Sequence, residues 1–133
     1  TKIFRIAISI FVIFFFVGCQ KNDNAKVTQE VSTPGTVTII VENNRDAPEE
    51  YVIAVNENET VENAMQKAQA HGLAYSVKDF AGIGSFITAI GGLSQTNAMI
   101  WIYYVNDEKA TQGISTQQIH DGDRIEWKYE QKF

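Results

Sequence analysis

Hydrophobic and polar positions fall into three zones along the chain. Residues 6–17 (Ile-Ala-Ile-Ser-Ile-Phe-Val-Ile-Phe-Phe-Phe-Val) are apolar except for Ser9, and residues 20–35 are polar with two isolated valines. From Thr36 onward short apolar runs alternate with turns. Thr36–Glu42 and Glu50–Asn56 read as strands rich in β-branched residues, separated by the turn chemistry of residues 43–48, so the domain opens with a hairpin. Val61, Ala64, Met65 and Ala68 then recur at helical spacing. Thr60 precedes them as an N-cap, Lys67 and His71 suit the negative end of the dipole, and Gly72 suits a left-handed C-terminal position. The spacing predicts a helix over 60–71.

Residues 75–80 and 85–90 are candidate short strands, broken by Gly82, Gly84, Gly91 and Gly92. Met99–Val105 is apolar on both faces and is expected to be a central strand. Asn106-Asp107 begins a turn, 108–118 is a polar loop, and Asp121-Gly122 is a hairpin-type pair. In Arg124–Tyr129 the residues Ile125, Trp127 and Tyr129 point one way and Arg124, Glu126 and Lys128 the other. A single amphipathic helix after a hairpin has to cover one face of a sheet. The expected fold is therefore α+β: a β-grasp-like mixed sheet with one covering helix, preceded by a signal peptide and a flexible tether.

The first zone carries the leader. Lys2 and Arg5 precede the apolar run and Gly18-Cys19 follows it, the order of a signal peptide. A bilayer span takes about 20 apolar residues, more than this run supplies. Phe16-Val17-Gly18-Cys19 resembles the bacterial lipobox, whose cysteine receives diacylglycerol. Cys19 is the only cysteine, so no internal disulfide competes for it. The expected organisation is a lipoprotein signal peptide over 1–18, a lipidated Cys19 and polar tether over 19–35, and a domain over 36–133. The tether is too polar to bury a core of its own. The domain would thus be lipid-anchored to a bacterial membrane in the cell envelope, facing the periplasm or the exterior.

Charge narrows the partners. The net charge is −5 over the whole chain, and loss of Lys2 and Arg5 with the leader takes it to −7. Nucleic-acid readers carry a basic footprint, and docking on anionic lipid needs one too, so the membrane contact falls to the acyl chains.

Candidate chemistry is sparse. Gly82-Ile-Gly-Ser85 lacks the spacing and lysine of a phosphate loop. His71 and His120 have no metal-ligand spacing. Asp121-Gly-Asp123 lacks the further carboxylates of a calcium loop. Ser85 and Ser115 lack a nucleophile context. The expectation is a protein that is not an enzyme and holds no metal. The aromatic residues Trp101, Tyr103, Tyr104, Trp127 and Tyr129 concentrate in the last two strands. Core packing and cross-strand pairing account for most of them. The alternative is that one or two line a ligand platform beside the 106–118 loop, with Asn106, Thr111 and Gln112 as polar groups and Gly113 letting the backbone approach a ligand.

Three segments, Met99-Ile-Trp-Ile-Tyr-Tyr-Val-Asn106, Thr111-Gln-Gly-Ile114 and Asp121-Gly-Asp-Arg-Ile-Glu-Trp-Lys-Tyr129, together resemble the transcobalamin-like C-terminal domain. This is the small β-domain of the vitamin B12 carriers transcobalamin and intrinsic factor, and bacterial lipoproteins carry similar stand-alone domains. More weakly, the resemblance extends over residues 36–130. It implies that Trp101, Ile102, Tyr103, Ala110, Thr111, Gln112 and Gly113 contact one face of a cobalamin or related corrinoid. In the carriers a large helical domain grips the other face. The function implied is a membrane-anchored surface lipoprotein with a small-molecule-binding module. The alternative is a protein–protein interaction module of the cell envelope without a small ligand.

Overall fold

The computed structural model of the chain describes residues 33–133; the leader, Cys19 and nearly all of the tether lie outside the described residues. The order is β1 (Gly35–Glu42), β2 (Glu49–Val55), α1 (Val61–Gln69), β3 (Tyr75–Phe80), β4 (Gly84–Ile90), β5 (Leu93–Ser94), β6 (Met99–Val105), β7 (Glu108–Lys109) and β8 (Arg124–Gln131). β1 starts one residue earlier than the sequence pattern suggested.

The strands form two sheets, one of five strands in the order β2-β1-β8-β6-β7 and one of three in the order β3-β4-β5. β1 and β8 pair in parallel at the centre, and the other ladders are antiparallel. With α1 across one face this is the α+β, β-grasp-like mixed sheet expected. The inner face gathers Val37, Ile39 and Val41 of β1, Ile53 and Val55 of β2, and Ile125, Trp127 and Tyr129 of β8, all buried. Val61, Ala64, Met65 and Ala68 of α1 close over them at 0% exposure. The helix begins where the sequence placed it. Thr60 Oγ1 accepts the Asn63 N–H at 3.4 Å and the Asn63 carboxamide oxygen accepts the Thr60 N–H at 2.8 Å, a reciprocal cap. Gly72 takes φ +99°, and the Leu73 N–H reaches back to the Ala68 carbonyl at 3.1 Å to close the far end.

Three expectations are corrected. The central strand is β8, and β6 lies next to the short β7 near the sheet's edge. β6 is apolar on both faces because Ile102, at 8% exposure, is also covered on the side away from the helix core. Next, Asn106 and Asp107 both take positive φ, 51° and 68°, the backbone of a tight two-residue hairpin. The chain therefore returns as β7, where a loop was expected. Lastly, Asp121-Gly122 does not join paired strands. It turns the long loop into β8, while Asp121 Oδ1 accepts the Thr36 N–H at 2.8 Å and Thr36 O accepts the Gly122 N–H at 2.8 Å.

Candidate ligand-binding cleft

Where β6 and β8 pair, Asn106 N–H donates to the Arg124 carbonyl. With that register the even-numbered backbone groups of β6 bond β8, and the odd-numbered ones face the sheet's edge. Residues 101 with 129 and 103 with 127 are then the close, non-hydrogen-bonded pairs whose side chains touch. Accordingly the Trp101 and Tyr129 rings lie 5.0 Å apart and the Tyr103 and Trp127 rings 4.8 Å apart. Backbone carbonyls tie down the tips of three of these four rings. Trp101 Nε1 donates to Leu93 O at 2.8 Å, Tyr103 Oη to Gln112 O at 2.7 Å, and Tyr129 Oη to Ser94 O at 2.8 Å. Burial pushes the Tyr103 hydroxyl well above the usual tyrosine range, keeping it a proton donor.

These bonds also fasten the small sheet to the large one. Ile114 N–H donates to Ser85 O at 2.8 Å and Ser85 N–H to Ser115 Oγ at 3.0 Å. Between the β3–β4 hairpin and the edge of β6 an apolar cleft of about 360 Å³ remains open. Phe80, Ile83 and Phe86 form its outer wall, Ile100, Trp101 and Tyr103 its inner wall, and Ile87, Ile114 and Trp127 its floor, with Thr88 and Gln95 as polar groups. Ile100 and Trp101 leave opposite faces of β6 yet both border the cleft, so the strand's edge itself faces it. Along that edge Met99 O accepts from Thr96 N–H at 2.7 Å and Tyr103 O from Ala110 N–H at 3.0 Å. Between them, the Trp101 N–H and carbonyl have no backbone partner among the described residues. The cleft thus offers an apolar wall beside one free amide pair.

The seven ligand-contact candidates do not form one site. Trp101 and Tyr103 stand in the cleft. Ile102 points to the opposite face of the sheet, as strand alternation requires. Ala110 and Thr111 border a separate polar groove of about 480 Å³ with Asn106, Glu108, Gln117 and His120, and the two depressions share no lining residue. Asn106 is committed to the turn: its Oδ1 accepts Arg124 N–H at 2.9 Å and its Nδ2 donates to Asp123 at 2.8 Å. Gln112 contributes its carbonyl to Tyr103. Gly113 brings the backbone close to β4 and not to a ligand, since a Cβ there would stand 2.8 Å from Ile83 O and 2.9 Å from Ser85 O. His120 is exposed, 3.6 Å from Asp123 Oδ2. Among the described residues no group of three His, Cys, Asp or Glu side chains is placed to hold a metal.

The sequence pattern missed the outer wall. Val77, Phe80 and Ile83 are three of the five large hydrophobic residues that stay exposed among the described residues, so the exposed apolar surface concentrates on this hairpin. A signal existed: Phe80, Ile83 and Phe86 are spaced around Gly82 and Gly84, and a glycine-rich turn cannot bury them.

A family model described as a domain of unknown function (DUF4430) matches residues 58–131. No curated protein matches the sequence. Among solved structures, haptocorrin in complex with Cbi superposes with a TM-score of 0.69 at 18% identity, over 77% of this chain and 26% of that one. The chain thus spans about a quarter of haptocorrin's length. A structure described as "a putative metal binding protein from Ruminococcus gnavus" superposes with a TM-score of 0.62 at 14% identity, over 74% of this chain and 99% of that one. The fold shared with haptocorrin agrees with the resemblance to the transcobalamin-like domain that the strand and turn segments carry.

Proposed function

The chain belongs to the DUF4430 family, and we propose that this member is a small-molecule-binding module that holds an amphipathic ligand, a cobalamin or related corrinoid foremost, against the edge of β6. The observation that carries the reading is the open apolar cleft beside the unpaired Trp101 amide. Its volume lies at the low end of the roughly 300–1,000 Å³ usual for small-molecule pockets. It would therefore take one edge or face of a large ring and leave the rest uncovered. Haptocorrin, in complex with Cbi, shares this fold in a chain about three times as long as this one. The Ruminococcus protein consists almost wholly of this fold, which supports treating residues 33–133 as a unit that folds alone. Calorimetric titration of the 33–133 fragment with cyanocobalamin and cobinamide tests the reading. Saturable binding is expected, and none up to millimolar ligand by a folded fragment overturns it.

We propose also that Cys19 carries the anchor, so that the module is displayed from a bacterial membrane. The lipobox-like residues 16–19 support this. Mass spectrometry of the mature N-terminus is expected to find a diacylated Cys19; an unmodified cysteine, or cleavage elsewhere, removes the anchor from the account.

A protein partner is the second reading. β3 stands at the end of its sheet with all but Tyr75 exposed, a free edge of the kind used for strand addition. A stoichiometric envelope protein recovered by crosslinking at β3, together with silence toward corrinoids, would favour it.

A further inference from the structure

The four stacked aromatic rings of β6 and β8 differ in one respect. Trp101, Tyr103 and Tyr129 each donate to a backbone carbonyl, of Leu93, Gln112 and Ser94 respectively. Trp127 Nε1 is fully buried and is the only buried side-chain nitrogen or oxygen among the described residues with no hydrogen-bond partner. A buried donor left unpaired is costly and correspondingly rare in folded proteins. Its ring borders the cleft floor, packed at 36° against Tyr103, and the residue is 1% exposed. An indole N–H donates and cannot accept, so whatever satisfies it presents an acceptor. No Lys, Arg or His lines the cleft, and the chain is net negative. A carboxylate entering this apolar floor would lose its hydration with no cation at the floor to offset the loss, since Lys78 Nζ stands over the outer-wall Phe80 ring, 5.3 Å from its centroid.

Building on the reading of this cleft as a ligand site, we infer that Trp127 Nε1 is the buried donor that receives a neutral carbonyl oxygen, and that the cleft selects uncharged amphipathic ligands bearing a carboxamide over acids of the same shape. The donor is sealed in this structure, so it is met only by a ligand group that displaces the packing at the cleft floor; surface contact with the outer wall leaves it unpaired.

The test uses the 33–133 fragment labelled with nitrogen-15 and carbon-13, and two probes of one shape, cyclohexanecarboxamide and cyclohexanecarboxylate, followed by the two indole N–H resonances and by the side-chain carbon-13 signals of Ile83 and Phe86. The amide is expected to shift the Trp127 indole proton downfield, to leave the Trp101 indole nearly unmoved, and to bind at least tenfold tighter than the acid. Trp127→Phe is expected to weaken the amide about fivefold, the worth of one neutral hydrogen bond. If that variant does not fold, the wild-type indole shift and the amide-to-acid ratio still decide. Binding that moves Ile83 and Phe86 but leaves the Trp127 indole unmoved, or equal affinity for both probes, overturns the inference while keeping the cleft as a site. No movement of any cleft signal with either probe up to saturation overturns this inference; if cyanocobalamin and cobinamide are also silent, the cleft reading falls with it.

Discussion

The two sheets are built to opposite standards. The five-stranded sheet is sealed on one face: Ile39, Val61, Ala64, Met65, Ala68 and Ile125 are all at 0% exposure, the helix is capped, and three of the four rings beside the helix core have their polar tips bonded. The three-stranded sheet is covered only under β4, where Ser85, Ile87 and Ile90 are buried. β3 is exposed along nearly its whole length, and Val77, Phe80 and Ile83 stay in contact with water at 42%, 41% and 58% exposure. Apolar surface that folding leaves exposed and contiguous marks a place where something else binds. On the proposed reading, stability rests on the five-stranded sheet and the buried side of β4, recognition on the exposed β3–β4 hairpin, and the cleft lies at their seam.

If that division is right, substitutions in the two sheets must separate stability from binding. Ile39→Ala, in the sealed sheet, is expected to cost about 2–5 kcal/mol, read as a lowered denaturation midpoint with unchanged ligand affinity per folded molecule. Gly113→Ala acts on the seam. The added Cβ would meet the Ile83 and Ser85 backbone oxygens below 3 Å, with an expected cost of about 1–3 kcal/mol and a loss of ligand affinity larger than the stability change explains. Thr60→Ala removes the cap and is expected to cost about 1 kcal/mol without touching binding. Ile83→Ser, on the open hairpin, is expected to stay within about 0.5 kcal/mol of wild type while weakening ligand binding. A stability loss comparable to that of Ile39→Ala would erase the division between the sheets.

A smaller effect sharpens the sealed side. Burial alone would raise the Glu59 carboxyl, but hydrogen bonds from Lys67 Nζ, 2.6 Å away, and from Asn56 outweigh it and hold the group below the usual glutamate range. A carboxyl with a lowered folded-state pKa stabilises the protein above its unfolded value of about 4.5, and that stability is lost as the pH falls through the folded value. Glu59→Gln is expected to flatten this acid-side loss. The contribution is small, because Lys67 is 40% exposed and solvent screens the pair. An acid titration followed by circular dichroism reads the difference.

Much of this fold was legible along the chain because local signals and tertiary demand agree there. Thr60 with the 61–64–65–68 stripe gave the helix, and the alternation of Ile125, Trp127 and Tyr129 gave the inward face of β8. Two things were hidden. β6 reads as a central strand because Ile100, Ile102 and Tyr104 make its second face apolar, but strand order depends on pairing at a distance, which periodicity does not encode. The candidate site was half legible. Of the candidates, Trp101 and Tyr103 line the cleft, whereas Ala110 and Thr111 open onto a different groove and Gly113 is spent on packing against β4. The outer wall escaped because Phe80 and Phe86 looked like ordinary strand residues and Ile83 like part of a glycine turn, whereas Phe80 and Ile83 stay exposed and Phe86 half-buried beside them.

The most direct measurement maps corrinoid binding onto the 33–133 fragment by chemical-shift changes in a cyanocobalamin titration. Saturable shifts centred on Phe80, Ile83, Phe86, Trp101 and Tyr103, with Ala110, Thr111 and His120 unmoved, are the predicted result. Shifts centred on the polar groove of Ala110, Thr111 and His120, or none in a folded fragment, would contradict the assignment of the ligand to the seam between the sheets.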